Sequence, residues 1–184
     1  MKKAIIAFSA FFLIHTCFAQ KRYFTKAGVV SFQAGTALED IDGTNKSATT
    51  VFDASTGQLE FALLVKGFEF KSSLMQEHFN ENYMESGKYP KSVFKGKITN
   101  IDKVNFQKTG SYPVAVSGTL ELHGVSKPVE TSGIFKVLND ETLTSTAEFT
   151  VVLDDYKIAI PGVVKDKISK TAKIQVYCSY AVLK

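Results

Sequence analysis

Eight stretches of this chain alternate apolar and other side chains with a period of two, and nearly all of them are broken by turn-forming residues. That pattern belongs to half-buried β-strands. The inward sets read Val30, Phe32, Ala34; Ala48, Thr50, Phe52, Ala54; Leu59, Phe61, Leu63, Val65; and Phe94, Gly96, Ile98. They continue as Val114 to Leu122, Val129 to Val137, Leu143 to Leu153 and Ala172 to Val182, taken at every second residue. Phe68 and Phe70 extend the third run just past Gly67. Asp42-Gly43-Thr44-Asn45, Ser55-Thr56-Gly57, Lys108-Thr109-Gly110, His123-Gly124 and Leu138-Asn139-Asp140 separate the runs, which suits sequential antiparallel hairpins. A sheet this long with one apolar face leaves costly edges unless it closes on itself. The expected fold class is therefore all-β, an eight-stranded antiparallel barrel, with a sandwich as the alternative.

One segment breaks the period. Met75, His78, Phe79, Asn82 and Tyr83 fall on a helical stripe, so Ser73–Glu85 is predicted as one short helix between strands 3 and 4. Ser73 with Gln76 suggests a capping box, and Gly87 and Pro90 stop the helix.

The N-terminus reads separately. Lys2-Lys3, the apolar run Ile5 to Ile14, and Cys17-Phe18-Ala19 have the order of a secretory signal peptide over residues 1–19, cut after Ala19. The barrel domain would then span 20–184, and the protein would be periplasmic or secreted. It would keep one cysteine, Cys178, so its core alone would hold it together.

A net charge of +4, from 22 Lys+Arg against 18 Asp+Glu, is too small and too scattered for a nucleic-acid protein. His78 and His123 have no partners at metal-ligand spacing, so neither a metal nor a cofactor is expected. Glu77, Glu81 and Glu85 read as a solvated helix face and Asp154-Asp155 as a loop cluster. Cys178 has inward parity and reads as a small buried hydrophobe. No catalytic residue is assigned. What remains is the interior. An eight-stranded barrel can be filled by side chains or can hold one small ligand. If the hairpin turned at Val125-Ser126, Gly118 would lie opposite Gly133 and leave room inside; the same glycines would also serve at barrel corners.

Three stretches resemble a known family. SLMQEHFNENYMESGKYPKSVFKGKI (Ser73–Ile98), GTLELHGVSKPVE (Gly118–Glu130) and FTVVLDDYKIAIPGVVKDKISKTAKIQV (Phe149–Val176) are similar to the YceI-like proteins, lipid- or polyisoprenoid-binding barrels of lipocalin-like shape. The chain departs from that pattern at Gly28-Val29-Val30-Ser31 and at Val152-Leu153. The resemblance implies an exported, non-enzymatic protein whose partner is a long-chain lipid or isoprenoid, with transient membrane contact. The residues expected along the ligand are Phe32, Phe52, Phe61, Leu63, Phe94 and Ile98 from the first half, then Val116, Leu120, Phe135 and Phe149. Gly118 and Gly133 would leave space for it, and Leu74 and Phe79 would cap one end from the helix. His123 and Lys127, at one rim, are the candidates for a head group. The competing readings are a filled-barrel envelope interaction protein and a lipid-modifying enzyme.

Overall fold

A computed structural model describes residues 21–183. The expected signal segment and its cut lie outside them. Eight strands close into an antiparallel barrel in sequence order. They are β1 (Arg22–Gly35), β2 (Asp42–Asp53), β3 (Gln58–Leu64), β4 (Lys91–Ile98), β5 (Gly110–Leu122), β6 (Val125–Val137), β7 (Thr142–Val152) and β8 (Ile168–Val182). Closure comes from β1 pairing with β8, for instance Val30 with Val176 and Phe32 with Ile174. The runs read from periodicity fall on the strands, and their inward sets supply most of both apolar clusters of the core, with Met84, Val104, Tyr156 and Ile158 added from connections.

The register differs from expectation at one hairpin. Leu122 pairs with Val125, so the turn is His123-Gly124, and Gly118 faces Val129 rather than Gly133. Both turn residues have positive φ, 50° and 71°. A two-residue turn with both central residues left-handed matches the right-handed twist of its strands. Gly118 instead lies opposite Gly96 of β4. The two backbones touch: a Cβ on Gly118 would lie 2.6 Å from the Gly96 Cα and 2.5 Å from the Lys95 carbonyl oxygen. The Phe94 ring covers the same spot, at 2.6 Å from that Cβ. The room left by the missing side chains is already taken. Gly118→Ala should therefore push β4 and β5 apart and cost about 1–3 kcal/mol, read as a lower midpoint in denaturant unfolding.

The helix is shorter than expected. Helix α1 (Ser73–His78) is capped by Ser72, one residue before the predicted cap, with its hydroxyl accepting from the Met75 N–H. The Gln76 side-chain oxygen accepts from the Phe70 N–H instead of closing a capping box. From Phe79 to Tyr83 the chain winds as a π-helical turn. Beside half-buried Met75, that wider turn brings half-buried Phe79 and Tyr83 and buried Met84 to the inner side, and leaves His78 and Asn82 exposed.

The strand ends sort into two barrel ends. One end carries the β1–β2 turn, the α1 segment, the His123-Gly124 turn and the long β7–β8 connection. The other carries the β2–β3, β4–β5 and β6–β7 connections. Where β3 leaves its ladder with β2, the buried Asn45 amide donates to the Leu64 carbonyl at 2.9 Å. Beyond it, Thr44 and Glu69 form a short bridge that brings Phe68 and Phe70 back over the barrel end.

Candidate ligand-binding cavity

The two ends of the barrel are packed differently. At the β4–β5 end, Tyr23, Phe52, Phe106 and Phe135 form a ring cluster. Phe52 stands 5.0 Å from Phe135 and 5.8 Å from Phe106, centroid to centroid. Ile98, Val104, Leu143, Cys178 and Tyr180 fill the rest. Phe106 and Val104 enter from the loop after β4, where no strand periodicity marks them, so sequence reading missed them. This end is solid. Burial pushes the Cys178 thiol up to about 11, so it stays protonated at neutral pH and has little nucleophilic character.

Above this plug the interior opens. A central chamber of ≈ 160 Å³ is bordered by Leu59, Phe61, Leu63, Phe94, Val116, Leu120, Phe149 and their neighbours. Phe61, Phe94, Val116, Leu120 and Phe149 have inward parity yet are only half-buried, because they face empty space. A second chamber of ≈ 390 Å³ sits under α1, walled by Phe32, Phe68, Phe70, Leu74, Phe79, Ile158 and Ile168 among others. Phe68, Met84, Leu122, Val151 and Ile174 border both chambers, so the two meet at a neck. Four rings hold the segment over the outer chamber: Phe79 stacks on Phe32 at 5.3 Å and contacts Phe70 at 4.9 Å and Phe68 at 5.5 Å.

The predicted lining therefore divides. Phe61, Leu63, Phe94, Ile98, Val116, Leu120, Gly133, Phe135 and Phe149 border the central chamber. Phe32, Leu74 and Phe79 border the outer one. Phe52 borders neither; it is fully buried in the plug. Gly118 borders neither, because Phe94 and the β4 backbone fill its space. The two head-group candidates are also placed elsewhere. Lys127 is half-buried at the start of β6 and borders neither chamber. His123 is buried behind the wall, with Nδ1 3.0 Å from the Tyr156 carbonyl oxygen and Nε2 3.0 Å from a Glu85 carboxylate oxygen. A left-handed turn aims its ring at the β7–β8 connection instead of the mouth. Glu85 leaves the row formed by Glu77 and Glu81 because its own φ is 41°.

The polar groups at the mouth are different ones. Ser72, His78, Tyr83, Glu39 and Lys167 border the outer chamber. The Lys167 ammonium pairs with the Glu39 carboxylate at 3.0 Å. Burial first, and then the charge of Glu39, push the Tyr83 phenol above its ordinary value. Leu74 is 60% exposed and Val163 93% exposed at this rim. Among the described residues no cluster of His, Cys, Asp or Glu is arranged to hold a metal ion.

A closed antiparallel barrel, plugged at one end and hollow toward a helix-covered mouth, defines a lipocalin-like container. The chain belongs to the YceI family: the model for the YceI-like domain matches residues 24–180. Among curated proteins no sequence match is found. The fold is shared with a polyisoprenoid binding domain from Saccharophagus degradans implicated in plant cell wall breakdown. That structure has 13% identity and a TM-score of 0.77, with 90% of this chain and 100% of that one covered. BcnA of Burkholderia cenocepacia is similar at 16% identity and a TM-score of 0.68, covering 84% of this chain and 96% of its own. A Campylobacter jejuni YCEI protein is similar at 16% identity and a TM-score of 0.57, covering 81% and 88%.

Proposed function

We propose that this protein binds and carries a long-chain apolar lipid of isoprenoid or fatty-acyl type, and that it does so after export. The observation that carries this reading is the pair of apolar chambers set one above the other between the mouth and the plug, with Phe68, Met84, Leu122, Val151 and Ile174 as their common wall. A buried methylene contributes ~0.8 kcal/mol, while association costs ~4–15 kcal/mol. Ten methylenes, at about 8 kcal/mol, roughly offset that cost, so firm binding needs a longer chain reaching through the neck. The polyisoprenoid named for the Saccharophagus degradans domain is of this class. Ser72, His78 and Tyr83 are the groups that would meet a polar head at the mouth. Leu74 and Val163, exposed beside them, suit brief contact with the membrane from which a chain is taken. The Lys2-Lys3, apolar run and Ala19 pattern supports export.

A lipid-modifying enzyme is less well supported. It needs reacting groups converging inside the cavity, whereas His123 and Glu85 meet behind the wall and His78 stands exposed at the rim. We read the protein as a binder, not a catalyst. Native mass spectrometry of the protein recovered from cells should show a chain beginning at Gln20 with a co-purified long-chain lipid, released by organic extraction. Repeated recovery of empty protein that also resists loading with isoprenoids and fatty acids would refute the binding reading.

A further inference from the structure

The hydroxyls that border the central chamber differ in how they are used. Ser92 and Thr131 spend theirs on the barrel itself, donating to the Glu121 carbonyl at 2.9 Å and to the Glu148 carbonyl at 2.8 Å. Ser145 on β7 and Tyr180 on β8 border the same chamber. The Tyr180 hydroxyl lies 3.4 Å from that of Thr50, with Ser145 and the Cys178 thiol beside it. An O–H···O bond is normally about 2.7–2.8 Å long, so the Thr50 contact is weak. Among the described residues, neither the Ser145 nor the Tyr180 side chain bonds a backbone group. A hydroxyl has one hydrogen to donate and two lone pairs that accept, so this pair keeps bonding capacity that its neighbours do not use. Tyr180 is nevertheless only 3% exposed, and polar groups taken from water without good partners cost stability.

Position and charge say what would use that capacity. Cys178 and Tyr180 belong to the apolar cluster of the plug, and Ser145 pairs with Cys178 across β7 and β8. The two hydroxyls therefore stand on the floor of the central chamber, at the end away from the mouth. Among the described residues, no Lys, Arg, His, Asp or Glu borders this chamber, and a charge buried without a partner is costly. Burial pushes the Tyr180 phenol above its ordinary value, so it remains a neutral donor. We infer that Ser145 and Tyr180 form a polar subsite that takes an uncharged hydroxyl or carbonyl at the inner end of the bound chain. The ligand is then polar at both ends, with one group at the mouth and one on the floor. This rests on the reading of the cavity as a lipid site, and it narrows the ligand to a chain that carries a hydrogen-bonding group at its far end.

The test measures, for saturated fatty acids of about 12 to 20 carbons, whether an ω-hydroxyl raises or lowers affinity, since a hydroxyl carried into an apolar space without a partner weakens binding. In wild-type protein the hydroxyl should raise affinity about tenfold at the length that reaches the floor, the worth of one hydrogen bond, and lower it at shorter lengths. Tyr180→Phe and Ser145→Ala should each remove most of that gain and change the affinity of the parent acid far less. Three results overturn the subsite: a parent acid that binds more tightly at every length, a gain that survives both variants, or variants that weaken both acids alike, as a merely structural role in the plug would. If no acid of either kind binds, the lipid reading falls and the subsite falls with it.

Discussion

Phe52→Ala should lower the stability of this protein by about 3–5 kcal/mol, whereas Phe149→Ala should lower it by about 1 kcal/mol. Both are inward phenylalanines on long strands, and their sequence contexts look alike. Phe52 is 0% exposed and wedged against the Tyr23, Phe106 and Phe135 rings. Removing it leaves a cavity that its neighbours cannot close, and the lost dispersion contacts add to the lost burial. Phe149 already borders the central chamber, so truncation removes fewer contacts and enlarges a space that exists. In a domain of this size each kcal/mol moves Tm by roughly 2–4 °C, so the Phe52 variant should melt on the order of 10 °C lower. The order should reverse in binding, with Phe149→Ala weakening lipid retention and Phe52→Ala leaving it intact at temperatures where the barrel stays folded. Thermal unfolding and lipid titration of the two variants check this together. Equal destabilisation would mean that the interior is solid throughout.

Ala147→Phe should abolish firm loading of long chains. Ala147 borders the central chamber and pairs with Gly133 across β6 and β7, so little bulk surrounds it. A phenyl ring there takes the space below the neck. Excluding about four methylenes at ~0.8 kcal/mol each costs about 3 kcal/mol, a loss of affinity of roughly a hundredfold. The ring fills existing space, so its cost to stability should stay at or below the ~1–3 kcal/mol of an overpacked core. Chains short enough to end in the outer chamber should bind as before. Titration with a series of fatty acids of increasing length reads this directly: the gain per methylene should continue past the neck in wild-type protein and stop there in Ala147→Phe. A series that keeps rising in the variant would place the chain elsewhere.

The strands were legible because alternation is a local signal. Each run names its inward face whatever the other strands do, and Val30, Phe61, Leu120 and Phe149 all point where the period puts them. The hairpin at His123-Gly124 was harder. The motif was visible, but a slip of the turn to Val125-Ser126 preserves the alternation, and only the backbone angles choose between the two. The head-group assignment to His123 failed for a related reason. A histidine at a strand end reads as a rim residue, while its actual partners, Glu85 and Tyr156, come from segments far away in sequence. The mouth residues Glu39 and Lys167 lie in connections without periodicity, and the helical stripe that marked Tyr83 does not say what it borders.

Residue order alone determined that this chain makes eight antiparallel strands, that each has an inward face and the inward set is rich in phenylalanine, and that one short helix interrupts them. Each of these follows from spacing within a single segment. The three-dimensional arrangement decided which phenylalanines fill the barrel and which surround empty space. Phe94 closes over the paired glycines Gly96 and Gly118, Phe106 arrives from a loop to seal one end, and at the other end Phe32, Phe68, Phe70 and Phe79 wall a chamber without filling it. Free volume is what remains after every strand, turn and loop has placed its side chains, so no single segment can encode it.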